Sequence, residues 1–303
     1  MKKVVVTGGA GFIGSHLADA LLEAGYDVHV VDNLANGKRE DVPVGAVFHE
    51  LDVRDTAALM ELFAGAHAVF HLAALPRVTY SYDYPVESHE ANIDGTFSVL
   101  MAARDAGVRR VIYAGSSSSY GSQETLPFTE DMRPNPVSLY AFQKFAGEEY
   151  ARLFSENYGL STVTLRFFSV YGPRMRPDGG YALAIPKFLE SRKEGKPLPI
   201  TGDGSHTRDF THIRDVVRAC LLAMESEKAG KGEVFNIAAG RNVSVNTLAD
   251  LIGGEREYLA PRPGDAQDTF GDTAKAREIL GWEPGVPLEE GIEELKREWG
   301  IDS

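Results

Sequence analysis

The chain has 303 residues, 43% hydrophobic and 25% charged, an ordinary globular balance that excludes collagen-like, disordered and disulfide-framework classes. Its 31 Lys and Arg against 44 Asp and Glu leave a net charge of −13, which repels phosphate backbones and anionic lipid, so no nucleic-acid or membrane partner is expected. The single cysteine, Cys220, removes disulfides and thiolate zinc cages; in the apolar run Ala219–Met224 it reads as a core residue suited to a reducing, cytoplasmic setting. Gly8, Gly9, Gly11 and Gly14 interrupt the apolar start that follows Lys2 and Lys3, and no later run is long and apolar enough to span a bilayer. Neither an export signal nor a transmembrane helix is predicted.

In chain order, short β-branched runs at Val4–Val6, Val28–Val31, Val47–His49, Val69–Leu72, Val111–Ala114 and Val163–Arg166 predict strands. Between them, helical periodicity predicts helices near Gly14–Ala24, Thr56–Phe63, Pro85–Ala106 and Ser138–Asn157. This alternation predicts an α/β fold with a doubly wound parallel (Rossmann) sheet over residues 1–168. After the loop containing Pro173 and Pro177 the pattern changes to mixed elements, with helices at Ile185–Glu194 and Leu288–Trp299. Residues 169–303 are therefore expected to form a smaller α/β substrate-binding C-terminal domain. The buried run Glu233–Ile237 again reads as a strand, so the chain is expected to re-enter the first domain around residues 206–240.

The segment from Thr7 to Leu17 reads as a strand end, a glycine turn and a helix start. Glycine is needed there because a Cβ would keep the backbone away from a pyrophosphate, which the helix N-terminus then faces. Asp32, 24 residues beyond Gly8 at the end of the second predicted strand, would accept hydrogen bonds from ribose hydroxyls and repel a 2′-phosphate. NAD is therefore expected over NADP, although Lys38 and Arg39 argue the other way. Tyr140 and Lys144 lie one helical turn apart, close enough for the ammonium to favour a phenolate and so make a base from a group that ordinarily titrates near 10. Taken alone, the pair reads first as an ordinary helix face; Ser116, just after the fifth strand at the ligand-binding edge, weighs against that. His67 and His71 are four apart in a predicted strand, about 13 Å at ~3.3 Å per residue, too far to share an ion, and no metal is predicted.

The glycine spacing Gly8-Gly-Ala-Gly11-Phe12-Ile13-Gly14 resembles that of the extended short-chain dehydrogenase/reductase family. The resemblance implies cofactor contacts from this loop, from Asp32 and Asn33, from Asp52 and Val53 at the adenine, and from Leu72, Ala73 and Ala74 beneath the cofactor. It further implies an asparagine at Asn92 that supports the cofactor pocket, a catalytic Ser116, and the Tyr140/Lys144 pair, which also touches the cofactor. The positions after Ser116 are Ser117 and Ser118, where nucleotide-sugar 4,6-dehydratases carry an acid pair, so dehydration is not expected.

The second half is similar to UDP-sugar 4-epimerases. Arg208, in Gly202–Phe210, and Arg262 with Asp265 resemble the elements that hold a diphosphate, a task for which the arginine fork is suited; a single arginine is as readily a surface ion-pair residue. Ser169 stands where UDP-galactose epimerases usually have a substrate-contacting asparagine. Arg176 resembles the carboxylate-binding arginine of UDP-glucuronate 4-epimerases, while Ser117 and Ser118 look more like epimerases of N-acetylated UDP-hexoses. Thr269 aligns with the position that caps the sugar pocket, and its small size implies room for a bulkier sugar. The resemblance thus implies an NAD-dependent UDP-glucose/UDP-galactose-type C4-epimerase open to bulkier UDP-hexoses, with UDP-glucuronate or UDP-N-acetylglucosamine as alternative main substrates. A nucleotide-sugar reductase or decarboxylase and a non-catalytic NAD-binding regulator are the readings of other classes. In relatives, helices like Pro85–Ala106 and Ser138–Asn157 pair into a four-helix bundle, which implies a homodimer.

Overall fold

The computed structural model describes residues 1–177, 184–260 and 268–301. Strand β1 (Lys3–Thr7) is a valine run buried on both faces, as a strand inside a parallel sheet must be. The glycine turn leads into α1 (Phe12–Glu23), then β2 (Asp27–Asp32) and the edge strand β3 (Val47–Glu50). Helix α2 (Thr56–Phe63), capped by the Asp55 carboxylate on the Ala58 amide, precedes β4 (Ala68–His71).

The stretch expected as one helix from Pro85 to Ala106 is divided. After α3 (Val78–Asp83) comes α4 (Pro85–His89), then a π-helical turn over Glu90–Asp94, and only then α5 (Gly95–Asp105). Asn92 sits in the middle of the widened turn with its amide bonded to the Leu75 backbone. Such a turn leaves the apolar periodicity on either side intact, so periodicity alone does not reveal it. Strand β5 (Arg110–Ser116) is followed by α6 (Leu139–Tyr158), which starts where Ser138 accepts from the Ala141 amide and stops at Gly159, whose φ of +70° suits glycine.

After β6 (Thr162–Phe167) come α7 (Ala184–Lys193), β7 (Leu198–Thr201), β8 (Thr207–Arg208) and α8 (Ile213–Glu225). Then follow β9 (Lys231–Ile237), β10 (Val243–Ser244), α9 (Val245–Ile252), β11 (Arg256–Leu259), α10 (Ala274–Leu280) and α11 (Leu288–Trp299).

Seven strands make one parallel sheet in the order β3-β2-β1-β4-β5-β6-β9, the doubly wound α/β arrangement expected from the alternation. The winding reverses between β1 and β4, and a crevice opens there at the carboxyl ends of the strands. Alternation along β1 assigns Val4 and Val6 to one apolar layer, with Leu17, Leu21, Phe70, Leu165 and Phe235. Val5 belongs to the other, with Leu59, Phe63, Val99 and Phe154. Strand β9 pairs with β6, and α8 packs on α1, so the sheet is completed by chain from well beyond residue 168.

Arg110 secures that late segment. Its buried guanidinium donates to the carbonyls of Ala223, Met224, Ser226 and Ala229, at the carboxyl end of α8 where a cation offsets the helix dipole. A second core, with Phe188, Leu189, Ile200, Leu248, Ile252, Ile292 and Leu295, gathers α7, α9, α11 and β7. Among the described residues no helix is long and apolar enough to cross a membrane.

Candidate active site

A cleft of about 460 Å³ lies at the carboxyl ends of β1, β2, β4, β5 and β6. Gly8, Gly11, Phe12, Ile13, Gly14, Asp32, Asn33, Asp52, Val53, Leu72, Ala73, Ala74, Ser116, Tyr140 and Lys144 all line it. The glycines divide by what a side chain would meet. At Gly14 a Cβ would come within 2.2 Å of the Gly8 carbonyl, and at Gly8 within 2.6 Å of the Ala73 amide, so the chain itself requires both. At Gly11 the nearest atom is the Gly8 carbonyl at 3.2 Å, and the space beside it is the cleft. No side chain caps α1, which leaves its first amides directed at whatever occupies that space. The cradle therefore fits a dinucleotide pyrophosphate.

Asp32 is 8% exposed, and its two oxygens accept from the Ala10 and Leu34 amides; burial raises its pKa. Asp52 is held by Arg54, whose backbone amide and guanidinium both donate to it, and by the Asn33 amide at 3.0 Å. These bonds, Arg54 first, pull its pKa down to about 2. Asn92 is behind the wall rather than in it: its carbonyl accepts from the Leu75 amide at 2.7 Å, and its amide donates to the Leu75 carbonyl and to Gln143.

In the same cleft, Ser116 closes β5, and its hydroxyl lies 2.8 Å from that of Ser118. Tyr140 and Lys144 project from the first turns of α6, with Tyr140 pinned through its amide to the Ser81 hydroxyl. Lys144 is 4% exposed, and burial lowers its pKa to about 7. Its Nζ sits 4.4 Å from the centroid of the Tyr113 ring. Nearby, His71 bridges Thr7 and Thr96. Because the Thr96 hydroxyl donates to the Asn92 backbone carbonyl, it accepts from His71 Nε2–H, and Nδ1 accepts from Thr7. Burial holds this ring neutral, with a pKa of about 3. His67 is engaged elsewhere, with Arg109 and Glu225. Among the described residues no group of three or more His, Cys, Asp or Glu is arranged to hold a metal.

The residues expected to meet a substrate are more scattered. Ser117 and Ser118 lie in a 3-10 turn after β5 and do not line this cleft. Ser169 follows β6, and its carbonyl accepts from Thr211. Arg208 lies in β8 and donates to the Thr207 carbonyl. Thr269 does not line the cleft either: it is 9% exposed, and its hydroxyl accepts from the Asp209 amide at 3.2 Å. Arg176 is paired with Asp41 at 3.1 Å and with Glu40 at 3.4 Å. Arg262 and Asp265 lie outside the described residues.

Sequence reasoning missed several walls of the cleft. Phe167 ends β6 at the same sheet edge as Ser116, a position that could have signalled it. Gly37 follows β2 closely, and a Cβ there would meet Ala10 at 2.8 Å. Tyr80 and Glu87, joined by a 2.7 Å hydrogen bond, also line the cleft and carry no such local mark.

Residues 4–238 match the NAD dependent epimerase/dehydratase family. A solved structure of UDP-glucose 4-epimerase with UDP-glucose from Thermotoga maritima is 40% identical, with a TM-score of 0.93, over 98% of this chain and 99% of that one. A UDP-N-acetylglucosamine 4-epimerase from Methanobrevibacter ruminantium in complex with UDP-N-acetylmuramic acid is 34% identical, TM-score 0.91, with the same coverage. A UDP-glucuronic acid 4-epimerase from Bacillus cereus with UDP-glucuronic acid and NAD is 32% identical, TM-score 0.91, again over 98% and 99%. The chain therefore belongs to the NAD-dependent epimerase/dehydratase family and, within it, to the UDP-sugar 4-epimerases.

Proposed function

We propose that this protein is an NAD-dependent isomerase that inverts C4 of UDP-glucose and UDP-galactose and also accepts a bulkier UDP-hexose. The observation that carries this reading is that Ser116, Tyr140 and Lys144 line the same cleft as the glycine cradle. Gly11, the open amides of α1, Asp32 and the Leu72–Ala74 segment would hold NAD, which when bound supplies reversible storage of the C4 hydride. Tyr140 takes the O4 proton as general base and returns it after the 4-keto sugar has turned over. Lys144 favours the phenolate by its charge, and Ser116 bonds O4 and helps pass the proton. The presence of Ser117 and Ser118 where a dehydratase needs acids agrees with an overall isomerisation.

Neutral sugars stand first because Arg176, the candidate for a uronate carboxylate, has its charge compensated by Asp41 and Glu40. A homodimer belongs to the same proposal: Phe97 on α5 and Phe142 on α6 are 42% and 55% exposed, and Leu153 is also exposed. The experiment is incubation with UDP-glucose, UDP-N-acetylglucosamine and UDP-glucuronate without added cofactor. C4 epimers of the first two should form, and Tyr140→Phe should lower turnover by about 100-fold or more. Full activity in that variant, or stoichiometric release of NADH, would overturn the reading.

A further inference from the structure

Lys144 is buried, and among the described residues no carboxylate stands within ion-pair distance of it. A lysine in that position tends to shed its proton, because burial disfavours the charged form. The proposed reaction needs the opposite, a cation beside Tyr140. The one favourable partner described for the ammonium is the Tyr113 ring, whose centroid lies 4.4 Å from Nζ. This is within the range at which the negative face of an aromatic ring attracts a cation, and the attraction is strongest where water is excluded.

The ring is held for that task from several sides. Tyr113 is fully buried in β5, and its hydroxyl donates to the Lys144 carbonyl at 3.3 Å. Helix α6 comes so close that a Cβ at position 147 would fall 2.2 Å from the Tyr113 oxygen, which makes Gly147 a requirement of this packing. His71 of β4 lies against the ring, 5.7 Å between centroids, and is neutral, so it adds no competing charge.

We propose that Tyr113 is a positioning residue for the epimerase: the face of its buried ring is the counter-charge that keeps Lys144 cationic and in place beside Tyr140. This rests on the reading of Tyr140 as the base. The other groups that act on Lys144 or on the ring are His71, Tyr140 and Glu148, the last already bound to Arg166 of β6. Tyr80 of α3 and Glu87 of α4 share the cleft but are bonded to each other.

The test is the titration of Lys144 in the purified protein, followed by NMR with carbon-13-labelled lysine and assigned by the signal missing in Lys144→Met. Three changes at position 113 are compared. Tyr113→Phe keeps the ring and removes the hydroxyl; pentafluorophenylalanine keeps the shape and reverses the ring quadrupole; Tyr113→Leu removes the ring. The midpoint should hold in Tyr113→Phe and fall by about one pH unit in the other two, while the acid inflection of the rate–pH profile rises by a similar amount. An unchanged midpoint in the folded fluorinated protein would overturn the proposal, as would an equal fall in Tyr113→Phe. The fluorinated ring preserves packing, so the outcome does not depend on Tyr113→Leu folding. The lysine titration needs no turnover, so it reads this proposal even if no UDP-sugar is converted.

Discussion

His71 and His212 are imidazoles that the fold keeps neutral, and they couple its stability to acid. Burial lowers the pKa of His71 to about 3 and that of His212 to about 4, against an unfolded value near 6.5. A depressed pKa means that the unfolded chain takes up the proton first. The stability these residues contribute is therefore complete above about pH 6.5 and is lost as pH falls toward 4 and 3. Each should remove about 1.4 kcal/mol per pH unit within that window. Thermal unfolding of the wild type and His71→Asn, compared from pH 8 to pH 4, should show a Tm advantage of the wild type that is constant above about 6.5 and shrinks below it; the difference isolates His71 from Lys144 and Asp209, whose shifted values of about 7 tilt both curves alike. A difference that stays constant to pH 4 would contradict the assignment. Asp52 acts in a separate window: its pKa of about 2 stabilises the fold above the usual aspartate value, near 3.8, and that contribution is lost only below it.

At the scale of elements, the glycine loop separates what the fold needs from what a ligand needs. Gly14→Ala should destabilise the protein by roughly 1–3 kcal/mol, because its Cβ would strike the Gly8 carbonyl in a rigid turn. Gly11→Ala meets only a tight contact within the chain, and its methyl group points where the pyrophosphate would lie. It should unfold within a few degrees of the wild type yet lose bound NAD, measured by thermal melting together with nucleotide content after denaturation. Equal losses of stability in the two variants would count against this division. The loop was legible in the sequence because its glycines, its strand and its helix start are contiguous. Ser116 and the Tyr140/Lys144 pair were legible for the same reason: each sits at a fixed offset from a recognisable strand or helix. The π turn at Glu90–Asp94 was not, since what surrounds Asn92 is the Leu75 backbone and Gln143, 17 and 51 residues away.

On the scale of the whole molecule, buried carboxylates tie distant segments together. Asp209 accepts from the amides of Ala239, Gly240 and Gly271, and burial raises its pKa to about 7. Asp215 receives Gly285 and Val286, joining the start of α8 to the approach to α11. The exposed apolar side chains Phe97, Phe142 and Leu153 on α5 and α6 suit a subunit contact. Light scattering at micromolar concentration should give the mass of two chains, and Phe142→Glu should shift it toward one; a monomeric wild type would refute the dimer.

The sequence by itself determined the seven strands of the parallel sheet, the glycine cradle and the Ser116, Tyr140 and Lys144 positions, because each depends on residues close together along the chain. Only the tertiary structure decided that Arg176 pairs with Asp41, 135 residues away, that Thr269 bonds to Asp209, and that the Tyr113 ring lies against Lys144. The physical reason is that local periodicity and spacing specify an element and its facing. The partner of a charge or a ring is chosen by which elements pack together, and that is settled only when the whole chain folds.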